Sequence, residues 1–162
     1  MPTQKQKDIN FLQLAILNGC NLSKDPSRKV GCIIVSQDEK HYSFGYNGFP
    51  KNIEETKEKW SRPKKYSYVL HAEINSVINA NFDTEKSTAY TSFKPCHLCL
   101  GVLINAGVKR VIWMNDPVPY INQDENVFND LIQHVEWQEY PLDEKTKNII
   151  NMFAVKHDEY KI

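Results

Sequence analysis

The residues best suited to chemistry are a histidine, a glutamate and two cysteines in two short stretches, His71-Ala-Glu73 and Pro95-Cys-His-Leu-Cys99. Cysteines three apart in the first turn of a helix can direct both sulfurs to one point. The electropositive helix N-terminus favours thiolates over thiols. Two thiolates and one imidazole suit Zn²⁺, and three protein ligands leave the fourth position open for water, as in catalytic zinc sites. The spacing therefore predicts a catalytic zinc on His71, Cys96 and Cys99.

Glu73 is the expected proton carrier at this site. It follows His71 by two residues, so its carboxylate can reach water at the metal without being a ligand. A Cys-x-x-Cys alone suits a structural or redox centre equally well, and a single histidine is more often a packing or surface residue. The joint pattern is more specific, because His-x-Glu with Pro-Cys-x-x-Cys is a signature of zinc-dependent nucleobase deaminases. His97, between the two cysteines, is not expected to bind the metal.

Alternating strands and helices are expected to position these residues. Apolar periodicity predicts helices beginning near Ile9, His71, Leu100, Val127 and Leu142, the first of them ending at Asn18-Gly19. Strands are predicted over 30–35, 42–46, 89–93, 111–114 and 135–139. The first two strands should form a hairpin, and the stretch 89–114 a right-handed parallel βαβ unit. The fold class is therefore a three-layer α/β/α arrangement with a mixed five-stranded sheet.

The composition describes one domain over residues 1–162. The chain weighs 18.9 kDa, 41% of its residues are apolar, and its 20 basic and 20 acidic residues cancel. A zero net charge excludes a polycationic nucleic-acid coat, so no stable nucleic-acid partner is expected. No apolar run reaches the length of a membrane span, so no membrane partner is expected either. Four cysteines are too few for a disulfide scaffold, which indicates a soluble, cytoplasmic protein.

Four further stretches surround the zinc motif: Ser23-Lys-Asp-Pro-Ser-Arg-Lys-Val-Gly31, Gly45-Tyr-Asn-Gly-Phe-Pro50, Lys65-Tyr-Ser-Tyr-Val-Leu-His-Ala-Glu-Ile-Asn75 and Ala106-Gly-Val-Lys-Arg-Val-Ile-Trp-Met114. Together with the motif they extend over about residues 11–135. Over that span the chain resembles the deoxycytidylate (dCMP) deaminases of the cytidine deaminase-like superfamily. The Gly-Tyr-Asn-Gly loop and the Lys-Tyr-x-Tyr-Val approach separate it from relatives that act on tRNA adenosine, guanine or riboflavin precursors.

The resemblance implies a cytidine deaminase-like fold with a zinc core at about 11–135 and a C-terminal helix at about 142–157. It also implies hydrolysis of dCMP to dUMP and ammonia, which supplies dUMP for dTMP synthesis. One zinc ion on His71, Cys96 and Cys99 would activate the water that attacks C4 of cytosine. Glu73 would take the proton of that water, protonate N3 and assist the departure of ammonia.

The resemblance further implies that the substrate binds around the Gly-Tyr-Asn-Gly loop. Asn47 would hydrogen-bond the nucleotide at its sugar, and Gly45 and Gly48 would allow close backbone approach. Taken alone, these residues would describe an ordinary turn. The remaining predicted substrate contacts are Ala72, Lys65 and Tyr120. Lys65 would supply positive charge to the phosphate with Lys51, Arg62 and Lys64, although a solvated charged loop is an equally simple interpretation of these cations.

Many proteins of the family are hexamers that dCTP activates and dTTP inhibits, so the resemblance implies a homo-oligomer with nucleotide effectors. Leu22 stands where family members often carry arginine, a departure that concerns effector binding rather than catalysis. Three alternatives stay open. The same chemistry could act on dCTP, a 5-substituted dCMP, a nucleoside, or a tRNA-adenosine or riboflavin-type substrate. The chain could be a zinc-stabilised binding module, which requires a fourth protein ligand. It could be a regulatory homologue without activity, against which the intact histidine, glutamate and cysteines argue.

Overall fold

The computed structural model describes residues 1–115 and 123–153. Within them, the strands are β1 (Gly31–Val35), β2 (Tyr42–Tyr46), β3 (Thr88–Thr91), β4 (Arg110–Asn115) and β5 (Glu136–Pro141). The helices are α1 (Gln4–Leu22), α2 (Lys57–Trp60), α3 (Lys65–Tyr68), α4 (Ala72–Asn79), α5 (His97–Asn105), α6 (Glu125–Ile132) and α7 (Glu144–Phe153). None of these helices is both long enough and apolar enough to cross a membrane.

The sheet is mixed and has the order β2-β1-β3-β4-β5. β1 pairs antiparallel with both β2 and β3, whereas β3 with β4 and β4 with β5 are parallel. The predicted hairpin and the predicted parallel βαβ unit are both confirmed. Because β3 and β4 run in the same direction, their carboxyl ends lie at one edge of the sheet, near the start of the connecting helix α5.

Two hydrophobic cores lie on opposite faces of the sheet. Successive side chains of β4 point to opposite faces, so Val111 packs with α4, α5 and α6, while Ile112 packs with α1 and α7. Leu100 and Leu103 of α5 are fully buried on the first face, and Leu12 of α1 is fully buried on the second. The predicted three-layer α/β/α fold with five strands is confirmed.

The predicted end of the first helix at Asn18-Gly19 is wrong. α1 continues to Leu22, and the N–H of Ser23 donates to the carbonyl of Gly19. Gly19 serves close packing instead of termination, since a Cβ there would lie 2.5 Å from the backbone nitrogen of Gly31. The glycine therefore allows α1 to approach the start of β1, and the helix passes through it.

Two other expected segments, the charged excursion before His71 and the C-terminal helix, are present in the described part of the chain. The charged excursion over 51–65 contains the short helix α2 and ends where α3 begins. Of the C-terminal helix expected at 142–157, the structure describes α7 from Glu144 to Phe153. Residues 154–157 lie outside the described part of the chain.

Candidate active site

β2 fixes the position of the helix that follows His71. A Cβ on Gly45 would lie 2.2 Å from the carbonyl oxygen of Ala72, so only glycine lets α4 pack this closely on the strand. The amide of Asn75 donates to the carbonyl of Tyr46 over 2.8 Å, which holds the helix along the edge of β2. His71 is the extended residue just before α4, and the buried Glu73 lies in its first turn.

Both cysteines lie at the first turn of α5, as their spacing predicted. Cys96 is the N-terminal cap of the helix, and its sulfur accepts the backbone N–H of Cys99 at 3.4 Å. Cys99 is fully buried, and Leu100 behind it packs into the core. The core thereby fixes the orientation of the first turn, which carries both thiols.

The ligand atoms of His71, Cys96 and Cys99 converge, with all three within 4.8 Å of one another. Nδ1 of His71 lies 3.2 Å from Sγ of Cys99 and 3.6 Å from Sγ of Cys96. Ligand distances of about 2.0–2.3 Å in a tetrahedral zinc site place neighbouring ligand atoms about 3.5–3.8 Å apart. The spacing and the donor set of one imidazole and two thiols fit Zn²⁺, the cofactor that the sequence predicts.

The pKa values of the two thiols are shifted in opposite directions. A hydrogen bond from Cys99 lowers the pKa of Cys96 to about 4, with help from His71, and the same interaction raises the pKa of Cys99. The hydrogen bond with Cys96 also raises the pKa of His71, and the nearby carboxylate of Glu73 adds to that effect. The site therefore favours a Cys96 thiolate, the form of cysteine that binds metals.

Glu73 is a buried carboxyl beside these ligands. Burial raises its pKa, although the charge of His71 opposes this shift. Oε1 of Glu73 accepts a hydrogen bond from Oγ1 of Thr91, the last residue of β3, over 3.3 Å. A raised pKa brings a carboxyl closer to the neutral range in which it can exchange protons. Sequence reasoning missed Thr91, and its only signal was a polar residue within the predicted strand 89–93.

Asn47, a predicted substrate contact, has a side chain engaged within the protein. Its Oδ1 accepts the N–H of Val30 at 2.8 Å, and its Nδ2 donates to the carbonyl of Arg28 at 2.8 Å and to Oδ2 of Asp25 at 3.3 Å. Gly48 forms two backbone hydrogen bonds with Leu70, of 3.1 and 2.8 Å. The predicted substrate loop is thus joined directly to the segment that leads into His71.

Lys65, predicted to face the phosphate, is buried and paired with Asp25. Its Nζ lies 3.0 Å from each carboxylate oxygen of Asp25 and 2.6 Å from Oγ of Ser27. Sequence reasoning missed the pairing, because Asp25 and Ser27 lie 40 and 38 residues away from Lys65 in the sequence. Arg62 is exposed and donates to Oγ of Ser27 at 3.3 Å.

Three further residues complete the account of the predicted site. Ala72 is fully buried at the start of α4. Nδ1 of His97 accepts the backbone N–H of Asp124 at 3.2 Å. Tyr120 lies outside the described residues, so its predicted contact stays a prediction.

Comparison with known proteins gives a consistent set of similarities. Residues 5–115 match the model of the cytidine and deoxycytidylate deaminase zinc-binding region. The deoxycytidylate deaminase of Homo sapiens is 37% identical over 122 residues, which are 71% of this chain and 67% of that protein. A probable deoxycytidylate deaminase of Caenorhabditis elegans is 36% identical over 128 residues, 76% of this chain and 61% of that protein. The chain thus spans about three fifths to two thirds of the length of these curated relatives.

A solved structure resembles most of this fold. The dCMP deaminase of the cyanophage S-TIM5, crystallised in complex with dCMP and dUMP, superposes with a TM-score of 0.66 at 25% identity. The match covers 86% of this chain and all of that one. The similarity therefore extends beyond the zinc-binding region to the architecture around it.

Proposed function

The chain belongs to the cytidine and deoxycytidylate deaminase family, and from that premise we propose that it hydrolyses dCMP to dUMP and ammonia. The observation that carries the proposal is the buried Glu73 beside the converging ligand atoms of His71, Cys96 and Cys99. Relatives named deoxycytidylate deaminase and a similar structure crystallised with dCMP and dUMP support this substrate over other cytosine compounds.

His71, Cys96 and Cys99 would hold the zinc ion. When bound there, Zn²⁺ supplies a Lewis acid that makes water ionisable near neutral pH. The first turn of α5 presents both sulfurs on one side, and the start of α4 presents Nδ1 of His71 opposite them. In the proposal these three side chains are the only protein ligands, so the fourth coordination position of the zinc stays open for water.

Glu73 would carry protons through the reaction. Its carboxylate accepts a proton from the water that attacks C4 and delivers it to N3 of the cytosine ring. The C4–N bond then breaks as the second proton of that water passes by way of Glu73 to the amino group, which leaves as ammonia. N3 keeps its proton, so the product is the uracil of dUMP. Thr91 holds Oε1 of Glu73 during these transfers.

The proposed substrate surface is formed by the loop at the end of β2 and the start of α4. Gly48 leaves space there, because a Cβ at this position would meet only the ring of Tyr46 at ordinary contact distance. The proposed contacts in this surface are Gly45, Asn47, Gly48 and Ala72, with Tyr120 as a further predicted contact.

We extend the proposal to the cellular role. A cytoplasmic enzyme of this kind would form one catalytic domain over residues 1–162 and supply dUMP for dTMP synthesis. Its assembly into a homo-oligomer, a hexamer by the resemblance, and its control by dCTP and dTTP belong to the same proposal. The family membership supports the metabolic role, the assembly and the control. The four free cysteines suit a reducing compartment such as the cytoplasm.

The test is the ultraviolet absorbance of zinc-loaded protein mixed separately with dCMP, CMP, deoxycytidine and dCTP. Conversion of cytosine to uracil removes a long-wavelength band, so turnover appears directly as a loss of absorbance. We expect a rapid loss with dCMP. No loss with dCMP, even with dCTP added as an activator, would exclude the proposed function. Turnover of another compound alone would keep the chemistry and transfer the substrate assignment to that compound.

A further inference from the structure

We propose that Lys65 is a positioning residue of this site: its buried ion pair with Asp25 orders the loop at the end of β2 and, through that loop, the backbone that presents His71 to the two cysteines. The inference rests on the proposed function for its kinetic part only. The path consists of three links: Lys65 to Asp25, Asp25 to Asn47, and Gly48 to the residue before His71.

The first link is a buried ion pair with several hydrogen bonds. The side chains of Lys65 and Asp25 are only 5% and 4% exposed, respectively. Oδ1 of Asp25 also accepts the N–H of Ser27 at 2.9 Å and the N–H of Arg28 at 3.1 Å. The carboxylate therefore folds residues 25–28 around itself. Removing the lysine would leave this charge buried without its counter-ion, which is strongly unfavourable.

The second link joins this carboxylate to the end of β2. The amide of Asn47 donates to Oδ2 of Asp25 and to the carbonyl of Arg28, and it accepts the N–H of Val30. Oγ of Ser23 also donates to the backbone carbonyl of Asn47 at 2.9 Å. Asn47 is thereby held at both its side chain and its backbone by the segment before β1.

The third link passes from the loop to the metal ligand. Gly48 and Leu70 exchange two backbone hydrogen bonds, and Leu70 directly precedes His71. Lys65 lies a few residues before His71 in the same segment, and its carbonyl accepts the N–H of Val69 at 2.9 Å. The segment before His71 is thus held at two points, one by Gly48 and one by the helix that carries Lys65.

The same geometry argues against a direct contact between Lys65 and a substrate phosphate. An ammonium group has three donors, and those of Lys65 have three acceptors within 3.0 Å: both oxygens of Asp25 and Oγ of Ser27. The excursion that carries the lysine is itself packed, since Phe49 stacks on Trp60 at 4.4 Å and on Tyr68 at 5.1 Å. A phosphate would have to displace Asp25 or Ser27 to reach the ammonium.

The test compares Lys65→Met with the parent protein, both loaded with Zn²⁺ for kinetics and with Co²⁺ for visible absorption. Loss of a group that orients a metal ligand costs about 10–100-fold in metal affinity or activity. We expect kcat for dCMP to fall by about that factor, with KM changed less than about threefold. We also expect an altered Co²⁺ absorption spectrum and faster loss of zinc to a chelator.

The matched control is Arg110→Met, which breaks the ion pair with the buried Asp8 on the opposite face of the sheet and an exposed ion pair with Glu136. It should lower the melting temperature comparably and leave the Co²⁺ spectrum unchanged. If both variants lose stability and neither alters the spectrum, Lys65 serves stability alone and the proposal is wrong. If Lys65→Met raises KM for dCMP and leaves the spectrum and the zinc loss unchanged, Lys65 contacts the substrate directly and the proposal is again wrong.

The double variant Asp25→Asn with Lys65→Met covers the case in which the single variant does not fold, because it leaves no unpaired charge. We expect this variant to fold and to keep the altered Co²⁺ spectrum. A spectrum and a rate of zinc loss equal to those of the parent would overturn the proposal. Absence of dCMP turnover by the parent protein would refute the proposed function instead, and the metal measurements would still decide the role of Lys65.

Discussion

Glu73 is buried between the hydroxyl of Thr91, which donates a hydrogen bond to it, and the imidazole of His71. Replacement by Gln keeps the size of the side chain and removes its ability to carry a proton. We expect Glu73→Gln to lower kcat for dCMP by about 10²–10⁴-fold, the usual range for a lost general acid–base. Zinc content, measured by elemental analysis, should equal that of the parent, because Glu73 is not among the converging ligands. Loss of zinc along with activity would assign Glu73 to metal binding.

Thr91 allows the acidity of that carboxyl to be tuned. Its hydroxyl donates to Glu73, which stabilises the charged form and lowers a pKa that burial has raised. Thr91→Val keeps the shape and removes the donor, so the pKa of Glu73 should rise further. The acidic limb of the profile of kcat against pH should then move to higher pH, with a smaller change at the alkaline limb. An unmoved acidic limb would show that another group controls it.

At the scale of elements, the contact between β2 and α4 holds the site together. A Cβ on Gly45 would meet backbone atoms of Ala72 and Ser76 at 2.2 and 2.3 Å, so α4 would have to move. We expect Gly45→Ala to cost about 1–3 kcal/mol of stability, typical of overpacking. Activity should also fall, because α4 carries Glu73 and follows His71. Urea unfolding and steady-state kinetics measure the two effects.

Gly101→Ala is the matched control for that substitution. Gly101 lies within α5, and a Cβ there would meet nothing within 4 Å. Alanine in a helix interior is favoured over glycine by about 0.5–1 kcal/mol. This variant should therefore gain stability at unchanged activity. Equal losses in both variants would show that glycine substitution as such, and not the contact with α4, is responsible.

Glycines also show where sequence reasoning about elements succeeded and failed. The apolar periods identified the strands and the main helices, because burial on one or two faces leaves a direct trace in the sequence. Gly107 follows the last turn of α5 with a positive φ of 86°, a backbone conformation that favours glycine. Gly19 was predicted to end α1 in the same way, yet it lies within the last turn of that helix and permits close packing on the start of β1. A glycine required by a neighbour distant in sequence and one required by its own backbone cannot be told apart without the structure.

The candidate site likewise contains a part that could be predicted from the sequence and a part that could not. The convergence of His71, Cys96 and Cys99 was predictable, because it depends on short spacings at the starts of two helices. The partners of Asn47 and Lys65 were not, because Asp25 lies 22 residues from the first and 40 from the second. A buried carboxylate with several donors has no local signature, so both side chains were expected to face the substrate.

At the scale of the whole molecule, two buried aspartates join distant parts of the fold. Asp8 of α1 accepts hydrogen bonds from Tyr90 of β3 at 2.8 Å, from Arg110 of β4 at 3.0 Å and from Tyr140 of β5 at 3.1 Å. Asp25, which precedes β1, likewise accepts hydrogen bonds from Ser27, Asn47 and Lys65. Burial alone would raise the pKa of each carboxyl, but the hydrogen bonds and the cationic partners hold both pKa values below the ordinary value.

These lowered pKa values predict how stability depends on pH. A carboxyl with a lower pKa in the folded state stabilises the fold above its unfolded pKa, about 3.9, and loses this contribution as pH falls through the folded value. The free energy of unfolding in urea should therefore be nearly constant between pH 7 and pH 5 for these two groups and fall below about pH 4. Asp8→Asn removes one titrating group, so its stability should be lower at pH 7 and decline less steeply in acid. A decline as steep as that of the parent would show that Asp8 does not contribute to acid unfolding.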